Sequence, residues 1–227
     1  MKKLRVGING MGRIGKNIAR VIVETFNDSI EIVAGNDLVS ASDIAKTFER
    51  DSIYGKFPVP ITVEAENQLQ ISQHHVTIYS EKDAANIPWG HHDVDVVLEC
   101  SRFYLSQEKS QAHLDAGAKK VIISAPCKDQ TKVIVIGVNH NTLTGEDTII
   151  SNASCTTNCY APMTLALDKS ISILSGLMST THAATSDQKI ADTFGNAKSR
   201  SLLNNILPVS TGAAIAVGKV LPHLNGK

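Results

Sequence analysis

Cysteine acts as a nucleophile through its thiolate, so the residues that matter first are those that would lower the pKa of a thiol. The run Ser151-Asn152-Ala153-Ser154-Cys155-Thr156-Thr157-Asn158-Cys159 sets Cys155 among small hydroxyl and amide side chains. The residues from Thr156 to Leu167 read as a helix, with Pro162 a weak point inside it. Cys155 therefore falls at an expected helix N-terminus, where the unpaired N–H groups and the dipole favour a negative charge. Two readings stand side by side: a nucleophile, or a small buried hydrophobe, the commoner fate of a free cysteine. Cys159, four residues on along the same helix, reads as structural or as an accessory redox thiol. Cys100 and Cys127 read as structural.

A second stretch carries a different chemistry. Gly10-Met11-Gly12-Arg13-Ile14-Gly15 fits G-x-G-x-x-G, follows the apolar run Leu4–Asn9, and precedes helically spaced Ile18, Val21, Ile22 and Phe26. In that context Gly10 makes a tight turn, Gly12 admits a pyrophosphate to the backbone, and Gly15 lets helix and sheet approach. The pyrophosphate would lie on the helix N-terminus. Asp37 ends the next apolar run about 20 residues on, the position of a carboxylate that bonds a ribose 2′-hydroxyl and repels a 2′-phosphate. The expected cofactor is thus NAD rather than NADP. Arg13, in the first turn, reads as a nucleotide contact or a surface charge.

Alternating apolar runs and helical segments place these motifs on a scaffold. Strands are expected at Leu4–Asn9, Ile30–Ala34, Val94–Leu98, Lys120–Ser124, Val133–Ile136 and Thr148–Ile150, and helices from Lys16, over Ser40–Arg50 with Ser42 as a cap, and over Ser106–Ala116. This predicts an α/β fold, a Rossmann-type doubly wound parallel sheet over residues 1–150. In the second part, Ile173–Thr181 reads as a strand that delivers His182, 183–202 as a loop, and Ser210–Ala214 as the opening of a last helix. The chain has 227 residues, 42% hydrophobic, with Lys+Arg and Asp+Glu balanced at 22 each. That balance offers no bulk field for nucleic acid, and no run is long enough to span a membrane. His74-His75 and His91-His92 have no acids or cysteines at metal-ligand spacing and read as solvated surface; no metal site is expected. Free thiols and the lack of an apolar leader point to the cytoplasm.

The stretches VGINGMGRIGK (6–16), NDL (36–38), AHLDAGAKKVIISAP (112–126), GVNH (137–140), SNASCTTNC (151–159), THAAT (181–185) and STGAA (210–214) together resemble the phosphorylating glyceraldehyde-3-phosphate dehydrogenase family. The resemblance covers the whole chain in the family's order, and SNASCTTNC is its most specific part. It implies NAD-dependent oxidation of glyceraldehyde 3-phosphate to 1,3-bisphosphoglycerate through a cysteine thioester, with inorganic phosphate as co-substrate and a homotetramer as the assembly. It implies Cys155 as nucleophile and His182 as its base. Gly10, Arg13, Ile14 and Asp37 would line the cofactor site, with Ser124 on the nicotinamide side. Ser154, Thr156, Thr185, Thr211 and Gly212 would hold substrate or inorganic phosphate.

The resemblance also implies an α+β catalytic domain after the NAD-binding domain and a longer chain, so a C-terminally truncated homologue with a partial α+β catalytic domain over 151–227 is expected. Arg102 stands where the family commonly has glycine, Ala184 where it has an aromatic, and Ile215 where it has lysine. Two other readings remain open: an inactive truncated homologue that keeps nucleotide or partner binding, and a dehydrogenase of another phosphorylated aldehyde.

Overall fold

The computed structural model describes residues 2–227. In chain order the elements are β1 (Leu4–Asn9), α1 (Arg13–Thr25), β2 (Ile30–Asn36), α2 (Ala41–Glu49), β3 (Arg50–Asp51), β4 (Gly55–Lys56), β5 (Ile61–Ala65), β6 (Gln68–Ile71) and β7 (His74–Tyr79). There follow β8 (Val96–Glu99), α3 (Gln107–Asp115), β9 (Lys120–Ile123), β10 (Lys132–Val133), β11 (Ile149–Ser151), α4 (Cys155–Ile171) and α5 (Ala213–Val220). The chain forms two compact units, one of residues 1–134 and 140–154, the other of 135–139 and 155–227.

The first unit is built on a nine-stranded sheet in the order β10-β11-β9-β8-β1-β2-β7-β6-β5. From β10 to β7 every pairing is parallel; β6 and β5 add an antiparallel hairpin edge. Parallel strands are covered on both faces, and their sequences are accordingly near-continuous apolar runs. One face packs Val6, Ile8, Ile32 and Val76 against Ala19 and Ile22 of α1 and Ile44 and Phe48 of α2. The other packs Val33, Val97, Val121 and Ile123 with Trp89 and Ile87. The chain leaves β1 toward β2 on one side and later returns to β8 on the other. The carboxyl ends of β1 and β8 therefore border the crevice where sheets of this kind take their ligands.

α1 starts at Arg13, three residues before the expected Lys16, because the helix follows Gly12 directly and treats Gly15 as an interior residue. α2 is capped by Ser40, not Ser42: the Ser40 hydroxyl accepts the Asp43 N–H at 3.1 Å while its backbone is extended. Ser42 already lies inside the helix.

His74 is fully buried, which overturns its reading as solvated surface. The Ile32 N–H of β2 donates to His74 Nδ1 at 3.1 Å, so the ring stands in for a backbone carbonyl. With Nδ1 an acceptor, the proton sits on Nε2 and is donated to Asn27 Oδ1 at 2.9 Å. Burial, aided by Lys3 and opposed by Glu31, holds the His74 pKa below the ordinary histidine value. The folded state therefore binds this proton less readily than the unfolded chain. Stability from this group is full above about pH 6.5 and is lost as pH falls through the lower folded value, at up to about 1.4 kcal/mol per pH unit. His74→Gln keeps an acceptor for Ile32 but cannot titrate, and is expected to flatten that part of the curve. Urea unfolding followed by Trp89 fluorescence across this range checks it; an unchanged acid slope in the variant excludes His74 as its source.

The second unit contains α4 and α5, which pack on each other. Few of their residues are buried: Thr157, Ala161 and Thr164 of α4, and Ala213, Val217 and Val220 of α5. Pro162 lies within α4 and does not end it. The expected strand at Ile173–Thr181 does not form. A strand needs a ladder partner for its N–H and C=O groups, and none pairs with this segment among the described residues. Its apolar residues are exposed, Leu174 and Leu177 among them.

Candidate functional site

Cys155 is the first residue of α4 and is exposed. Its Sγ lies 3.1 Å from His182 Nε2. His182 reaches it from irregular backbone rather than from a strand end. The Ala183 carbonyl lies 2.7 Å from His182 Nδ1 and can only accept, so Nδ1 carries the proton and the lone pair of Nε2 faces the thiol. Burial pushes the Cys155 thiol up. The hydrogen bond and charge of His182, then the Thr156 amide and hydroxyl, outweigh it, and the net displacement is downward. The Ala183 carbonyl, then Cys155, raise His182 above the ordinary histidine value. Both displacements favour a thiolate–imidazolium pair, the reactive form of a nucleophilic cysteine.

Cys159, also exposed, has its Sγ 4.0 Å from Met163 Sδ on the next turn of α4. Cys127 is buried, and burial, only partly offset by a hydrogen bond with Ser124, pushes the Cys100 thiol up to about 12. These two are inert by comparison.

The glycine turn has the shape its motif requires. Gly10 has φ +92°, and a Cβ there would meet the Ser101 backbone N at 2.7 Å. A Cβ on Gly15 would overlap the Gly10 carbonyl oxygen and touch Ile8 Cγ2 at 3.0 Å. A Cβ on Gly12 would meet nothing within 4 Å, so this glycine keeps open space in front of the α1 N-terminus. Asp37 Oδ2 accepts the Met11 N–H at 2.7 Å, tying the end of β2 to the turn. Ile14 is 48% exposed on the first turn of α1. The residues present thus fit a dinucleotide: a donor-bearing helix start, an open approach at Gly12 and a carboxylate beside it.

The two glycines make opposite predictions. Gly15→Ala is expected to destabilise the first unit by about 3 kcal/mol, the scale of an overpacked core. Gly12→Ala should cost under about 1 kcal/mol, as a change at a helix N-cap, yet weaken dinucleotide binding because the methyl fills the approach. Urea melts and NAD titrations on the pair separate the effects; a stable Gly15→Ala variant would show that α1 can slide.

Arg13 is engaged with the protein itself. Its guanidinium pairs with Asp51 Oδ2 and lies 5.3 Å from the centre of the Tyr54 ring. The Tyr54 and Ile53 N–H groups hold the Asp51 carboxyl down at about 2, with Arg13 adding to them. Sequence reading missed Asp51, which sits in a stretch whose only signals are turn residues. Ser124 directly follows β9, its N–H donating to the Glu99 carbonyl at 2.9 Å. Arg102 has φ +69°, a left-handed conformation that costs a non-glycine residue roughly 1–2 kcal/mol.

Of the expected phosphate residues, Ser154 belongs to the first unit and the other four to the second. Thr156 lies in the first turn of α4 and bonds the Cys155 sulfur. Ser154 belongs to the first unit, at the end of the loop leaving β11. Thr211 Oγ1 accepts the Ala213 N–H at 3.2 Å, and Gly212 is the N-cap of α5. Thr185 is exposed, its N–H donating to Gln188 Oε1 at 2.8 Å. Among the described residues, no group of His, Cys, Asp and Glu could hold a metal ion, and no helix is long and apolar enough to cross a membrane.

Fold and site together define a dinucleotide-fold α/β protein that carries a histidine-paired cysteine at a helix start. Residues 4–107 match the model of the glyceraldehyde 3-phosphate dehydrogenase NAD binding domain, and residues 154–227 the model of its C-terminal domain. The chain is 48% identical to the glyceraldehyde-3-phosphate dehydrogenase of Bacteroides fragilis over 229 residues, 99% of this chain and 68% of that protein. It is 45% identical to that of Zymomonas mobilis subsp. mobilis and 48% identical to that of Lactobacillus delbrueckii subsp. bulgaricus, with 67% and 68% of those proteins covered. The chain belongs to the glyceraldehyde-3-phosphate dehydrogenase family.

Proposed function

We propose that this chain carries out NAD-dependent oxidative phosphorylation of glyceraldehyde 3-phosphate, with Cys155 as nucleophile and His182 as acid–base. The observation that carries the reading is the 3.1 Å approach of His182 Nε2 to a cysteine at the start of α4. The Cys155 thiolate adds to the aldehyde carbon and gives a hemithioacetal. His182 takes the hydroxyl proton as the carbon is oxidised, leaving a thioester. NAD, when bound, supplies the hydride acceptor. Inorganic phosphate then attacks the thioester carbonyl and the Cys155 thiolate leaves, giving the acyl phosphate. The α4 N-terminus and the Thr156 N–H stabilise sulfur as nucleophile and as leaving group.

Residues 1–150 serve as the NAD-binding domain, with Gly10, Gly12, Arg13, Ile14, Gly15, Asp37 and Ser124 as its cofactor residues. Residues 151–227 serve as the catalytic part, with Ser154, Thr156, Thr185, Thr211 and Gly212 toward the phosphates. A homotetramer and a cytoplasmic setting belong to the same reading. The test is NADH formation from glyceraldehyde 3-phosphate, dependent on inorganic phosphate; no turnover by folded protein sinks it. A panel of other phosphorylated aldehydes decides the substrate.

A second reading, nucleotide or partner binding without turnover, is favoured by the exposure of Leu174, Leu177, Phe194 and Ile206 in the second unit. Retained NAD binding with no burst of NADH is its signature.

A further inference from the structure

Three polar residues stand in register at the carboxyl ends of three adjacent parallel strands: Glu99 on β8, Asn9 on β1 and Asn36 on β2. All are buried, with exposures of 1%, 2% and 5%. Their side chains form a continuous belt across the sheet. Asn36 Nδ2 donates to Asn9 Oδ1 at 2.8 Å, and Asn9 Nδ2 donates to Glu99 Oε2 at 2.5 Å. Each end of the belt grips a loop. Asn36 accepts the Glu81 N–H at 2.8 Å and donates to the Glu81 carbonyl at 2.9 Å, clamping the chain after β7. Glu99 Oε1 accepts the Ser101 N–H at 2.7 Å, the Ser101 hydroxyl at 2.5 Å and the Arg102 N–H at 3.2 Å, clamping the chain after β8.

The polarity of the belt is fixed from both sides. The Glu81 backbone dictates which end of the Asn36 amide is the donor, hence which end of Asn9 is the acceptor, hence that Asn9 presents an N–H to Glu99. On the other side the Trp89 indole N–H donates to His113 Nδ1 at 3.1 Å. The proton of His113 therefore sits on Nε2, which lies 3.1 Å from Glu99 Oε2. The amide of Asn9, the His113 ring and the Ser101 and Arg102 N–H groups all present donors to Glu99, and its two oxygens accept them. A fully buried carboxyl group is costly to maintain unless its hydrogen bonds are satisfied, as these are. Yet the cysteine–histidine chemistry does not use it.

We infer that Glu99 is a positioning residue for the dinucleotide: through the belt it sets the 100–103 loop against the Gly10 turn, at the crevice between β1 and β8. The loop and the turn abut closely, since a Cβ on Gly10 would meet Ser101 N at 2.7 Å and Cys100 C at 2.8 Å. The belt backbones hold the same junction, the Asn36 carbonyl accepting the Gly10 N–H at 2.8 Å and the Asn9 carbonyl the Cys100 N–H at 2.7 Å. Glu99 also keeps Arg102 in its left-handed conformation, through the Arg102 N–H. This rests on NAD being the ligand of the first unit, as proposed above.

The test is Glu99→Gln in the full chain. Gln has the same shape, but its amide nitrogen would face the donors of Asn9 and His113, so the belt breaks. Removing a buried negative charge should by itself favour an anionic dinucleotide, so charge and positioning predict opposite signs. Positioning predicts that the NAD dissociation constant rises roughly tenfold or more. It also predicts faster amide exchange at 80–82 and 100–103 with the β1, β2 and β8 amides unchanged. NAD binding as tight as wild type, or tighter, in folded variant overturns the inference. Where Trp89 fluorescence shows the variant unfolded, Ser101→Ala replaces it; this deletes one donor to Oε1 and must weaken NAD binding in the same direction, and unchanged affinity overturns the inference. Failure of the wild type itself to bind NAD sinks the functional reading instead, and the exchange pattern then decides whether the belt holds the two loops.

Discussion

Cys155→Ser is expected to lower phosphate-dependent NADH formation on the order of 10³-fold or more, the scale of removing a covalent nucleophile from a group that acts as a unit. Serine keeps the size of the side chain and a hydrogen-bonding atom toward His182. It loses the acidity. The sulfur of Cys155 is held below the ordinary thiol value by His182 and Thr156 against its partial burial. A hydroxyl in the same place has no comparable anion at neutral pH, so no acyl intermediate accumulates.

Cys155 is exposed, so the fold should change by no more than about 0.5 kcal/mol. The variant should still bind NAD, because the glycine turn and Asp37 lie in the other unit. Iodoacetamide labelling read by peptide mass gives an independent check. The wild type should label first at Cys155, more slowly at the exposed Cys159, and not at Cys100 or Cys127 in the folded state. Fast labelling that persists in Cys155→Ser would move the reactive thiol to Cys159, where α4 offers no histidine partner.

What could be read from sequence follows how far apart the interacting atoms lie along the chain. The glycine turn was legible because strand, turn, helix and Asp37 are local, and each glycine has a steric reason visible in its spacing. Helix 107–115 was legible because Ser106 caps it with its own hydroxyl. The Ser40 cap was misplaced by two residues because two serines compete there and only the backbone dihedrals decide. His74 read as surface because its partners, Ile32 and Asn27, lie 42 and 47 residues away. Glu99 went unremarked for the same reason: it looks like a polar residue ending an apolar strand, and its meaning comes from a register 90 residues distant. The segment 173–181 failed in the other direction. Its composition favours a strand, but composition supplies no ladder partner, and 173–181, with Leu174 and Leu177 exposed, joins no sheet among the described residues. The expectation for His182 rested on its motif and not on that strand, and its Nε2 lies 3.1 Å from Cys155 Sγ although the strand is missing.

His182→Asn is expected to cost roughly 10²–10⁴-fold in turnover, the usual contribution of a positioned acid–base group. It separates two roles that the histidine combines. As a charge partner, His182 stabilises the thiolate; as a base, it takes the proton of the hemithioacetal. Asparagine can keep a hydrogen bond toward sulfur but can neither carry the positive charge nor accept the proton. The pH profile of alkylation isolates the first role, because alkylation needs only thiolate. In the wild type the rate should rise through a midpoint below the ordinary thiol value and level off. In His182→Asn the midpoint should move up toward about 8.5, so the two rates differ most at neutral pH and converge in alkaline solution. Turnover should not converge with them, since raising the pH restores thiolate but not the base. If alkylation shifts and turnover recovers fully at high pH, His182 serves only to ionise Cys155, and the proton of the hemithioacetal leaves by another route. If neither profile moves, the 3.1 Å contact is not the working geometry of the site, and the acid–base role passes to a residue other than His182.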